Sequence, residues 1–153
     1  MTRAASDFYA VSVAVRPTSG GGIPDAAGRA KFAALLTPRL NKQLVDAAAA
    51  EARFKAKNKN SPPLIEGDIF SSMFEGPTSF KVGACRGDEK IQRCAIALTY
   101  QAPGQKPANW TDTMVLANSG GWKVDDIGYD ANFAFGNTGT LSQTLKMTIS
   151  EAP

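Results

Sequence analysis

Apolar positions along the chain follow a helical period first and a strand period afterwards. The run Phe8-Tyr9-Ala10-Val11-Ser12-Val13-Ala14-Val15 follows an N-cap pair, Ser6-Asp7. This short helix is expected to stop before Arg16-Pro17, where proline lacks an amide and restricts the residue before it. Thr18-Ser19-Gly20-Gly21-Gly22 reads as a flexible loop, without the G-K-[ST] or the preceding strand of a phosphate loop. Pro24 to Leu36 reads as a second short helix, apolar at Ala27, Ala30, Phe32, Leu35 and Leu36. Thr37-Pro38 supplies an N-cap and an N1 proline for a helix from about Pro38 to about Lys57. Within it Leu40, Leu44, Ala48 and Ala52 recur every four residues, with Val45 and Ala49 beside them, as one apolar stripe. The alanines 47–50 predict a close approach to another element.

Asn58 to Pro63 ends that helix, and Gly67 to Pro77 follows as a compact turn whose Ile69, Phe70 and Phe74 are expected to plug one end of the core. From Thr78 the alternation becomes that of strands, read as Ser79–Cys85, Ile91–Gln101, Asn109–Asn118 and Trp122–Tyr129. Gly-Asp, Pro-Gly and Ser-Gly-Gly between them suit hairpins, so the strands form an antiparallel meander. Thr140-Leu141-Ser142-Gln143 matches a capping box for a short C-terminal helix carrying Leu145, Met147 and Ile149. The expectation is one α+β domain over residues 1–153. Its N-terminal helices (about 6–57) pack on a curved, cone-like antiparallel four-stranded sheet (78–130), joined by a linker (58–77) and ending in a C-terminal loop and helix (131–150).

Two cysteines alter the picture. Cys85 and Cys94 flank Arg86-Gly87-Asp88-Glu89-Lys90, which reads as a hairpin tip, and are expected to form a cross-strand disulfide. Simple alternation places Cys85 on the face opposite Phe80, Val82 and Ala84, so the bond requires a bulge at Gly83 that swaps the phase. A disulfide implies an oxidising compartment. The chain opens Met1-Thr2-Arg3-Ala4-Ala5-Ser6 without an apolar leader, and is therefore expected to be a mature periplasmic form given a starting methionine; the alternative is a cytoplasmic protein with two thiols.

The net charge of +3 divides unevenly. Residues 1–60 carry ten Lys/Arg against four Asp/Glu, and residues 61–153 carry seven against ten. Arg53, Lys55, Lys57 and Lys59 complement the C-terminal dipole of the long helix. With only Phe54 interleaved among them, they do not read as a nucleic-acid surface. No apolar run is long enough to span a bilayer. The chain has no histidine, which excludes His-based triads and His-ligated zinc. No cofactor or metal site is expected: Asp125-Asp126 with Asp130 lacks the spaced ligands of a calcium loop, and Ser71 and Ser72 have no histidine to activate them.

Asp68 to Pro77, Trp110-Thr111-Asp112 and Gly121-Trp122-Lys123-Val124-Asp125-Asp126-Ile127 together resemble a bacterial family of unknown function, often secreted or lipid-anchored and similar to the nuclear-transport-factor-2-like superfamily. The resemblance spans roughly residues 6–149, is sharpest at W-x-D and W-K-V-D-D-I, and implies a cone fold rather than an activity. The start shows no lipid-attachment cysteine, so anchoring is not carried over.

Strand alternation puts Trp110 with Asp112 on one face, and Trp122, Val124 and Asp126 on another. If both faces point into the cone, two carboxylates meet aromatic walls and could serve an isomerase or lyase; otherwise Asp112, Asp125 and Asp126 bind loop amides or pair with Lys123, Arg86 or Arg93. The cone mouth, with Trp110, Trp122, Tyr100, Tyr129, Phe133 and Phe135, is the expected site for a protein partner or a small apolar ligand. The expected function is thus a non-enzymatic periplasmic binding protein. The alternatives are an immunity or inhibitor protein that neutralises a secreted toxin effector, and an Asp-based isomerase or lyase.

Overall fold

The computed structural model describes residues 1–19 and 22–151. Helix α1 runs Thr2–Ser19. It begins four residues ahead of Ser6, because Ala4 and Ala5 are strong helix formers and Ala5 joins Phe8, Tyr9, Ser12 and Val15 on one buried face. It also passes the expected stop: Pro17 falls in the last turn, where one missing amide bond does not end a helix. Thr18 and Ser19 therefore belong to α1, and Gly20 and Gly21 of the expected loop lie outside the described residues.

Helix α2, Ala26–Phe32, is capped by Asp25, whose carboxylate accepts the Gly28 amide at 2.8 Å, and a 3-10 turn, Ala33–Leu35, follows. Helix α3, Pro38–Lys57, has the expected Thr37 cap. Its buried face is Leu40, Leu44, Ala47, Ala50 and Glu51, while Val45, Ala49 and Ala52 are exposed. The every-fourth stripe fails because four residues turn the helix by about 400°, so Ala52 stands roughly 120° around from Leu40. Glu51 accepts the Leu64 amide on both carboxylate oxygens (3.0 and 3.1 Å), tying the segment after α3 back onto it.

The sheet is a single meander in the order β1-β2-β3-β4, with strands Ser79–Gly87, Ile91–Tyr100, Ala108–Asn118 and Trp122–Gly128 and every pair antiparallel. Val82 pairs with Ile96 and Cys85 with Cys94, so Gly83 and Ala84 together oppose Ala95. This is the expected bulge. Only glycine fits at its first position, since a Cβ on Gly83 would stand 2.9 Å from the Ala95 carbonyl. The phase swap brings Cys85 beside Cys94, and the two form the disulfide with Cα atoms 3.9 Å apart. A second bulge lies in β4, where Val124 pairs with Leu116 and Asp126 with Val115, leaving Asp125 unmatched. Bulges bend a strand and increase its twist, and these two curve the sheet around the helices.

Helix α4, Leu141–Glu151, starts with the expected capping box: Thr140 Oγ1 accepts the Gln143 amide at 3.2 Å and Gln143 Oε1 accepts the Thr140 amide at 3.0 Å. Its buried residues are Leu141, Ser142, Leu145 and Thr148, whereas Met147 is exposed. One core joins Phe8 and Tyr9 of α1, Phe32, Leu36, Leu40 and Leu44 to Ile96, Leu98, Trp110, Met114, Leu116, Val124 and Ile127 on the inner face of the sheet. Ile69 and Phe70 plug its end as expected, but Phe74 is partly exposed: the turn folds back so that the Phe74 carbonyl accepts the Asp68 amide at 2.8 Å and its ring lies outside. No helix among the described residues is long and apolar enough to cross a membrane.

Candidate functional site

At one end of the sheet, the loop 67–77 and the loop 129–137 meet over the buried carboxylate of Asp112, beside a second one, Asp68, whose Oδ2 accepts the Ser71 hydroxyl at 2.8 Å. Asp112, in the middle of β3, is fully buried. Its Oδ2 accepts the Ser72 amide at 2.7 Å and Trp110 Nε1 at 3.1 Å. Its Oδ1 accepts the Ser72 hydroxyl at 2.5 Å and the Asp130 amide at 3.0 Å. Four donors surround one carboxylate, the arrangement a charge needs when removed from water. The Ser72 hydroxyl in turn accepts the Ala131 amide at 3.1 Å.

Other groups lock the same two loops. Asn137 donates to the carbonyls of Asp68 and Ser71, both at 2.7 Å, and its amide donates to the Ser72 carbonyl at 2.9 Å. Gly136 lets the chains approach, since a Cβ there would stand 2.5 Å from the Ser72 carbonyl. From below, Tyr9 donates to the Phe70 carbonyl at 3.0 Å and Tyr129 to the Ile69 carbonyl at 2.5 Å. Burial pushes both phenols well above their ordinary range, and nearby Asp68 and Asp112 add to the effect, so both hydroxyls remain donors.

Of the residues expected at the mouth, Trp110, Asp112, Tyr129 and Phe133 come together here. The Phe133 ring stands edge-on to Trp110 at 5.4 Å. Trp110 and Tyr129 are nearly buried and belong to the core. Phe135 is on the same loop yet 93% exposed, with φ of 62°, a left-handed conformation that a bulky side chain disfavours. Trp122 is elsewhere: it pairs with Asn118, eight positions along β3 from Trp110, roughly 26 Å at strand rise. Asp126 is not on a face with Trp122 and Val124, because the β4 bulge turns it away from the core. It accepts the Ser142 and Ile127 amides, both at 2.9 Å, and so caps α4.

The amide-binding pattern expected of these acids holds for Asp112 and Asp126, and the pairing with Lys123, Arg86 or Arg93 does not occur among the described residues. Asp112 and Asp126 hold amides, while Asp125 accepts the Thr37 hydroxyl at 2.8 Å and pairs with Arg39 at 3.1 Å. Arg39 also donates to the Asp125 carbonyl and to Ser142 Oγ, joining α3, β4 and α4. Lys123 donates to the Ala34 carbonyl at 3.1 Å rather than to an acid. No group of three or more Cys, Asp or Glu that could hold a metal is present among the described residues.

Ser72, Asn137 and Tyr9 organise the site; the sequence offers Ser72 only as a nucleophile without an activating histidine, and marks neither Asn137 nor Tyr9 for a polar role. Ser71-Ser72 next to Asp68 was visible, but nothing in the chain marks Ser72 as the partner of a residue forty positions on. No family profile, curated protein or solved structure matches the chain.

Proposed function

We propose that this protein is a non-enzymatic binding protein of an oxidising compartment, the bacterial periplasm, and that it holds a protein partner through Phe135. The observation that carries this reading is Phe135 itself, an aromatic ring 93% exposed in a left-handed conformation on a loop pinned on both sides. Holding such a residue in that conformation costs on the order of 1–3 kcal/mol, and strain of this kind collects at functional sites. A protruding aromatic on a pre-organised loop suits a protein pocket, with little entropy lost on docking. The cross-strand disulfide supports the compartment, and W-x-D with W-K-V-D-D-I supports a relationship to the nuclear-transport-factor-2-like superfamily. The commitment of Asp112 to four donors and of Asp126 to two amides weighs for binding over an Asp-based isomerase.

The test is capture from a periplasmic extract of the encoding organism on immobilised wild type and on Phe135→Gly. The expected result is a protein retained saturably by wild type and lost with the folded variant. Equal retention by both, or none by wild type, overturns the reading. If the captured protein is a secreted toxin whose activity falls on binding, the module acts as an immunity protein; a captured partner without toxicity makes it an accessory protein.

A further inference from the structure

The outer face of the β1–β2 hairpin carries two arginines whose side chains have no partner among the described residues. Arg86 and Arg93 are direct cross-strand partners, both exposed, immediately beside the Cys85–Cys94 pair. Like charges directly opposite one another weaken a sheet. Neither guanidinium forms an ion pair or a hydrogen bond among the described residues. Two acids on this side of the sheet hold other donors instead: Asp126, in register across β3, accepts the Ser142 amide at 2.9 Å, and Asp130 accepts the Thr113 hydroxyl at 2.5 Å.

The two side chains border an open depression of about 600 Å³ lined also by Ala84, Gly87, Ala95 and Thr113. Short side chains at these outward positions leave the floor recessed. Lys81, exposed on the same face of β1, extends the cationic side. On the opposite face the disulfide clamps the two strands in register, so the arginine pair is presented on a rigid base.

We propose that this face is a docking site for an extended acidic peptide segment, whose carboxylates the two guanidiniums grip as paired acceptors. Charge complementarity selects the occupant: Arg86, Arg93 and Lys81 share one face, and the open depression between them has room for an extended chain. This proposal does not rest on the Phe135 reading, and its test needs no partner from the cell.

The experiment is an NMR titration of the ¹⁵N-labelled full chain with hexaglutamate, hexalysine and inorganic phosphate. Hexaglutamate is expected to shift the amides of Ala84, Arg86, Gly87, Arg93, Ala95 and Thr113 saturably, and less so as salt is raised. Hexalysine should leave them in place. In the double variant Arg86→Gln/Arg93→Gln the midpoint should weaken at least about tenfold, with the thermal midpoint equal to or above wild type because a repulsion is gone. Absent shifts, shifts that persist in the double variant, or a fall in its thermal midpoint overturn the proposal. An equal midpoint for phosphate also overturns it, since the face would then be a simple oxyanion site.

Discussion

Ser72 and Asp112 lie forty residues apart, yet the Ser72 amide and hydroxyl each donate to a different oxygen of the Asp112 carboxylate, at 2.7 and 2.5 Å. Two loops that share no secondary structure are thereby fixed to the centre of a strand, and the loop bearing Phe135 takes its position from that junction.

Asp112→Asn tests the junction. An amide in place of the carboxylate turns one oxygen into a donor, and each oxygen serves two donors, so a buried pair loses its acceptor. We expect a loss of about 2–4 kcal/mol in urea unfolding. A change under about 1 kcal/mol would show that the loops are held by something else.

Phe135→Gly is expected to stabilise the protein by about 1 kcal/mol, because glycine adopts a φ of 62° without the Cβ clash. Differential scanning calorimetry of the variant beside wild type reads this directly. A drop in stability would mean that Phe135 is a packing residue, contrary to its 93% exposure.

Reduction of the Cys85–Cys94 bond, or Cys85→Ser with Cys94→Ser, should cost about 2.5–3 kcal/mol in the chain-entropy picture of a loop this short. For a chain of this length that is roughly 5–12 °C in Tm. Thermal melts with and without reductant make the comparison, and coincident melts would reject a stabilising role.

Alkaline pH should unfold the protein cooperatively. Tyr9 and Tyr129 have their pKa raised by burial in the folded state, so folded protein keeps two protons that the unfolded chain releases near pH 10. Their contribution is fully present below about pH 10 and falls by about 1.4 kcal/mol per pH unit for each tyrosine above it. In a Tyr100→Phe background, which leaves only these two phenols to report, tyrosinate absorbance and circular dichroism should therefore change together above pH 10, and less steeply when Tyr129→Phe is added. Ionisation well ahead of unfolding would contradict the burial of these hydroxyls.

Much of the architecture was legible in local chemistry. Thr37-Pro38 and Thr140 with Gln143 marked two helix starts because a cap is a contact within one turn. Gly83 betrayed a bulge because two cysteines demanded the same face. The misses were also physical. Ser6-Asp7 has cap chemistry, but the burial of Ala5 extended α1 past it. In β4 no cysteine or glycine announced the bulge at Asp125, so alternation carried Asp126 to the wrong face. Trp110 and Trp122 looked equivalent as strand aromatics, yet antiparallel pairing sends the starts of successive strands to opposite ends of the sheet.

By itself, then, the sequence determined the α+β class, the four-strand meander, the capped helices and the hairpin disulfide, because each rests on periodicity or on residues a few positions apart. Only the tertiary structure decided that Asp112 is a structural hub, that Asp126 caps α4, that Phe135 stands outside while Trp110 and Tyr129 are core, and that Arg86 and Arg93 are left without an acid. Those outcomes depend on which distant groups meet once the chain is compact, and a buried carboxylate or an exposed ring is defined by its neighbours in space.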